Sequence, residues 1–316
     1  MDAPTLTFYC ELDAGPLREL FATPGLHEDL VALRASVSLG LLDLGPERAE
    51  VVRRLTREGV PVIAWLLLSP EQGYWFNTGN VDAAAARYEA FRAWTKKEGL
   101  EWAGVGLDIE PDMRDVQELF TGNWRVVPRA LSRMVRGGST LRRAREGYAA
   151  LVERIRADGY RVDAYQFPFI LDERQARSTL LQKVAGVLDL KADREVLMLY
   201  SSFARPLGPA LLWSYGPGKH SIAVGVTGGG VQPEGVRLPP PLTWDELSRD
   251  LRLAVRWTRD LHVFSLEGCV QQDFLSRLRT LDWDAPVEPP LVSSRRVDGV
   301  RRAARAVLGW TSSARP

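Results

Sequence analysis

The chain alternates short β-rich runs with longer helical runs eight times, and this order restricts the fold more than any other feature. The expected strands are Leu6–Leu12, Ala35–Leu42, Pro61–Leu68, Trp102–Ile109, Tyr160–Phe167, Glu195–Tyr200, Ser221–Thr227 and His262–Leu266. Helical sequence follows each one. Strands alternating with helices imply parallel βαβ units, and eight such units close into a (β/α)8 TIM barrel. A doubly wound open sheet uses the same units, but no Gly-x-Gly-x-x-Gly follows the first strand and no P-loop is present. Several punctuation marks fit the barrel. Gly59, Gly99 and Gly159 stop helices, and Thr243-Trp244-Asp245-Glu246 is a capping box.

The 316 residues are read as one barrel over 1–283, followed by 284–316 as a linker and a basic C-terminal helix or tail. Trp283–Pro290 carries three prolines, and Val297–Leu308 has a helical pattern rich in Arg. Between the fourth and fifth strands a long connection holds Gly122, Gly137 and Gly138 before a helix from Thr140 to Ala157.

Composition removes several function classes. Lys plus Arg is 41 and Asp plus Glu is 40, so no general charge draws the chain to nucleic acid or an anionic membrane. Cys10, Cys269, His27, His220 and His262 show no metal-ligand spacing, and no metal or cofactor is expected. His220 and His262 fall at strand starts and are read as structural. No apolar stretch reaches membrane-spanning length. No basic region followed by an apolar run opens the sequence, which makes a cytoplasmic location the default expectation. Gly-x-Ser-x-Gly is absent, so a serine hydrolase of the α/β type is set aside.

The fourth strand carries the sharpest chemical signal. It reads Ala103-Gly104-Val105-Gly106-Leu107-Asp108-Ile109-Glu110-Pro111. Residues two apart on a strand share a face, and catalytic groups of a barrel sit at the C-terminal ends of strands. Two acids at the end of a buried strand are costly unless something pairs or uses them. Glycosidic cleavage uses such a pair: one carboxyl protonates the leaving oxygen, and the other stabilises the developing charge or orients a group that does. Crowding raises one pKa and keeps a proton available near neutral pH.

Gly104-x-x-x-Asp108-x-Glu110 resembles the end of the acidic Asp-x-Asp-x-Glu signature of family 18 glycoside hydrolases, the chitinases and endo-β-N-acetylglucosaminidases. The resemblance implies that Glu110 is the general acid and that Asp108 holds a substrate N-acetyl group. Met198-Leu199-Tyr200-Ser201 is similar to that family's Met-x-Tyr-Asp motif, which implies that Tyr200 binds the acetamido oxygen. Ala103 and Gly106 stand where that family carries acids, Ser201 stands where it has Asp, and the eighth strand lacks its Trp.

Further candidates flank this pair. Glu11 ends the first strand and Glu267 the eighth. These strands are neighbours in a closed barrel, so the two acids either meet as a coupled pair or are each held by an arginine. Tyr74-Trp75-Phe76-Asn77 lies in the loop after the third strand, where aromatic faces suit stacking on sugar rings or simply pin the loop. Trp65 and Gln166 are further substrate-binding candidates, with Tyr165, Trp124, Trp213 and Tyr215 as weaker ones. Gly228-Gly229-Gly230 follows the seventh strand, where some barrels approach a phosphate, and reads here as a plain flexible turn. The resulting expectation is a glycan-cleaving hydrolase with Glu110, Asp108, Tyr200 and Glu267 in catalytic roles, and Glu11, Trp65, Tyr74, Trp75 and Gln166 around the carbohydrate. The alternatives are a non-catalytic carbohydrate-binding barrel and a divalent-metal enzyme using the same carboxylates.

Overall fold

In the computed structural model the eight strands close on themselves as a parallel barrel in sequence order. The structure describes residues 3–120, 126–231, 236 and 238–313. Gly122 and Trp124 therefore lie outside the described residues. The strands are β1 (Thr5–Cys10), β2 (Ser36–Leu41), β3 (Val62–Leu66), β4 (Gly104–Asp108), β5 (Val162–Gln166), β6 (Arg194–Met198), β7 (Ser221–Gly225) and β8 (Asp260–Phe264). β1 pairs with both β2 and β8, which closes the ring.

The glycines of the strands are explained by the interior. Trp65 on β3 stands beside Gly40 on β2 and Gly106 on β4, and Phe264 on β8 stands beside Gly225 on β7. A β-carbon at position 225 would meet Phe264, and one at position 106 would meet the ring and hydroxyl of Tyr165. Large rings from some strands thus occupy space left by glycines on others, and the interior is filled rather than hollow. The Tyr165 hydroxyl is paired with Ser38 at 2.7 Å.

Below this aromatic layer the barrel is plugged by charge. Asp163 is fully buried and accepts hydrogen bonds from Arg161 and Arg194, each at 3.1 Å. Arg194 also reaches Asp260 at 3.1 Å. His262 lies inside the barrel against Tyr9; neither ring nitrogen is hydrogen-bonded, and Nε2 stands 3.7 Å from Asp260. Burial, reinforced by Arg194, pushes its pKa down to about 3, so the ring is neutral.

The outer layer is helical. The helix Val81–Glu98 ends at Gly99 as expected, and Thr243 and Glu246 make the reciprocal cap, with Glu246 accepting from the Thr243 N–H at 3.0 Å. The helix expected from Thr140 begins at Val126, the helical sequence expected after the sixth strand is Gly208–Tyr215, and helices at Met113–Phe120 and Leu180–Ala185 were not anticipated. Arg48, fully buried on the helix Pro46–Arg57, donates to the carbonyls of Gly40 at 2.8 Å and Leu12 at 3.0 Å. It thereby fixes the chain just past Glu11.

The C-terminal helix spans Leu291–Ser313 and packs on the barrel helices Phe169–Ala176 and Gly208–Tyr215. Arg301 anchors it. Its guanidinium pairs with buried Asp172 at 3.1 Å and lies 3.7 Å from the centre of the Tyr215 ring. Among the described residues, no helix is long and apolar enough to cross a membrane.

Candidate active site

Asp108 and Glu110 project from the C-terminal end of β4 into a cavity of about 490 Å³ at the barrel mouth. Their shared orientation is enforced beyond the strand itself. Phe76, in the loop after β3, accepts from the Glu110 N–H at 2.9 Å and donates its own N–H to the Asp108 carbonyl at 3.1 Å. Residues 108–110 therefore stay extended, and the two carboxyls keep one face.

Asp108 is 3 % exposed, and its Oδ1 is buried without a donor. Trp65 below it favours the ionised form, although the indole N–H finds no aligned acceptor. Burial, then Glu110 and Glu11, push the Asp108 carboxyl well above the usual range. Glu110 is half-buried at the mouth. Burial and the field of Glu11 push it up to about 8. The two carboxyls interact directly, and Glu110 keeps its proton at neutral pH.

Glu11 extends from the end of β1 into the same cavity. Its Oε1 accepts from the Tyr74 hydroxyl at 2.8 Å and its Oε2 from the Val231 N–H at 3.0 Å. Burial raises its pKa to about 7 against the pull of these two donors. Tyr74 sits in the left-handed region, with φ of 66°, and is buried behind the cavity wall. It acts on the cavity through Glu11 instead of facing it.

Glu267 lies in the first turn of the helix Leu266–Gln271, one layer behind the cavity. Its Oε1 accepts from the Gly230 N–H at 3.0 Å and from the Glu11 N–H at 3.4 Å. Gly229 packs directly on its side chain. Glu267 raises the pKa of Glu11, and no arginine contributes there, so the two acids interact as neighbours. The segment 228–231 is thus a built part of the wall, held through its backbone by Glu267 at Gly230 and by Glu11 at Val231. Sequence reading missed this because backbone N–H groups leave no side-chain signature.

Tyr200, Trp65 and Trp75 all line the cavity. Enclosure, together with Asp108 and Glu110, pushes the Tyr200 phenol far above its usual range and keeps it a hydrogen-bond donor. Gln166 does not face the cavity. Alternation from the inward Tyr165 turns it to the helical layer, where it donates to the Leu190 carbonyl at 3.1 Å. Trp213 packs on Trp257 and Tyr215 under Arg301, both away from the mouth. Tyr9, Met198, Phe167, Phe203 and Phe264 line the cavity and were not singled out from the sequence. The inward positions of Tyr9, Met198 and Phe264 on their strands were a usable signal, whereas Phe167 follows β5 and Phe203 lies in the short helical turn Ser201–Ala204. Among the described residues, no three His, Cys, Asp or Glu side chains converge as a metal-ligand set.

No protein-family model and no curated protein matches the chain. Solved structures resemble it at low identity. The PgaB (BpsB) glycoside hydrolase domain from Bordetella bronchiseptica is 10 % identical with a TM-score of 0.49, over 89 % of this chain and 99 % of that one. An L-ribulose 3-epimerase is 12 % identical with a TM-score of 0.40, over 99 % of both chains. A mutant tryptophan synthase α-subunit from Pyrococcus furiosus is 14 % identical with a TM-score of 0.42, over 89 % of this chain and 97 % of that one.

Proposed function

We propose that this barrel is a glycoside hydrolase-like enzyme in which Glu110 is the proton donor and Asp108 its helper. The observation that supports it best is the pair itself: two interacting carboxyls on one face at the end of β4, in an aromatic cavity, with Glu110 raised to about 8. A general acid needs a proton at working pH and a dry surrounding that makes its transfer useful. Tyr200 donates a hydrogen bond to the sugar, and Trp65 and Trp75 offer ring faces to its apolar C–H surface. Glu11 orients the bound ring, and Glu267 positions Glu11 and the glycine turn.

The test is product analysis by mass spectrometry after incubation with β-linked hexosamine oligosaccharides, acetylated and free. Cleavage should occur, and Glu110→Gln, which keeps shape and removes the proton, should lower the rate by about 100- to 10,000-fold with an unchanged fold. Wild-type rates in the Gln variant would remove Glu110 from the acid role. Gly106 and Ser201, at positions where the resembled family carries acids, favour a second reading, a carbohydrate-binding barrel without turnover. Tight binding of intact oligosaccharide by the wild type, with no products, would establish that reading.

A further inference from the structure

The cavity contains acids with no balancing base. Its ionisable acids are Glu11, Asp108 and Glu110, and among the described residues no Lys, Arg or His lines it. The fields that reach Glu11 and Glu110 come from other carboxyls, with no contribution from any guanidinium or ammonium group. This contrasts with the bottom of the same barrel, where Asp163 and Asp260 share Arg194.

One acceptor is also open. Asp108 lines the cavity, and its buried Oδ1 has no aligned hydrogen-bond donor. A buried acceptor left without a donor costs about 1–3 kcal/mol. The Trp65 indole N–H and the Tyr9 hydroxyl in the same wall are not aligned with it, so a donor on an entering ligand can fill the place. An anionic ligand would meet three acids and no counter-charge. A divalent ion would need convergent oxygen ligands, and the described residues offer no such set. An organic cation needs no tight convergence. It gains from the negative faces of aromatic rings, and Tyr9, Trp65, Tyr200 and Phe264 surround this space.

We infer that the cavity takes a ligand carrying a protonated primary amine, held at Asp108, so that the substrate is a glycan of free amino sugars rather than acetamido sugars. The glycan part rests on the hydrolase reading above, and the amine part rests on the cavity alone. Binding proceeds with an exchange of charge: the ammonium stays protonated, one carboxyl ionises, and its proton leaves to solvent. The titratable groups facing Asp108 are Glu110, Glu11, Tyr9, Tyr74, Tyr165 and Tyr200, with Trp65 beside it. Burial already holds protons on Glu11 and Glu110 through the mildly acidic range.

Isothermal titration calorimetry on the full chain tests this at mildly acidic pH, in two buffers of different ionisation enthalpy. The probes are a glucosamine trisaccharide and its N-acetylated counterpart. The amino form should bind at least about tenfold more tightly and release close to one proton. Asp108→Asn, checked for an unchanged melting curve, should lose both the preference and the release. Equal or weaker binding of the amino form, no binding at millimolar concentration, or binding without proton release overturns the inference in the wild type alone. Product analysis on the same samples separates the two readings. Cleavage of the acetylated form without amine preference would refute the amine and keep the hydrolase. Amine binding with no cleavage of either form would do the reverse.

Discussion

Tyr165 fills the space that a side chain at position 106 would need, its hydroxyl and ring edge lying where a β-carbon on Gly106 would stand. The family that β4 resembles carries an acid at this position. Here the aromatic ring has taken its place and is tied to Ser38. Gly106→Ala should therefore destabilise the fold by about 1–3 kcal/mol, the usual cost of overpacking. Combining it with Tyr165→Leu should cost less than the sum of the single changes, because the clash is shared. Urea denaturation of the four proteins measures this, and additive losses would show that the two sites are independent.

The carboxyls at the mouth make stability fall as pH rises. Glu110 holds its proton to about 8 in the folded chain against 4.5 ordinarily, and Glu11 holds its own to about 7. Below 4.5 both states are protonated and nothing is lost. Between 4.5 and 8 the unfolded chain releases protons that the folded chain keeps, so unfolding is progressively favoured. The groups facing the pair are Asp108, Tyr200, Tyr74, Glu267 and each other, and none is a cation. Melting curves across this range should show the wild type declining relative to Glu110→Gln by at least about 1 kcal/mol, since each pKa unit is worth about 1.4 kcal/mol. Parallel curves would mean that Glu110 titrates normally.

Turnover should carry the same proton. If Glu110 is the acid, kcat/KM must fall as pH rises through about 8, where it loses that proton. A pH–rate profile on any cleaved oligosaccharide gives the limb directly. Full activity well above this pH would exclude Glu110 as the donor.

Tyr74→Phe keeps the ring and removes the donor to Glu11 Oε1. That hydrogen bond favours the ionised form, so Glu11 should hold its proton to still higher pH than about 7. Carbon-detected NMR titration of the Glu11 carboxyl reads the shift, and an unmoved midpoint would show the contact to be without electrostatic weight. Stability above neutral pH should drop by about 1–2 kcal/mol, the cost of a buried acceptor losing its partner.

Arg301→Ala should loosen the C-terminal helix. Asp172 is 3 % exposed and would keep Tyr215 and the more distant Arg305 as partners. Removing one member of a buried pair costs about 3–5 kcal/mol when nothing replaces it, so about 2 kcal/mol is expected here. Limited proteolysis should then cut within 291–313 before the barrel is attacked. Unchanged resistance would mean that packing, not the ion pair, holds the helix.

The barrel was legible because alternation of strand and helix is a long-range pattern that no single residue can spoil. Asp108 and Glu110 were legible because a period of two is rigid within a strand. The same rule, applied to β5, would have turned Gln166 outward once Tyr165 was taken as inward. The short helix Leu180–Ala185 and the bounds of Gly208–Tyr215 were not legible, since their segments are too brief for a clear period. Glu267 was read as a strand-end acid and lies instead in a helix turn, where it grips the backbone of Gly230. That contact depends on how two loops fold together, and neither loop encodes it alone.

The charged plug of Asp163, Arg194 and Asp260, with Tyr9, Trp65 and Tyr165 stacked above it, closes the barrel axis from below. The mouth is consequently a blind alley. Whatever enters must leave by the same door, so a long polymer cannot be threaded through, and each departing product has to vacate the doorway before the next chain arrives.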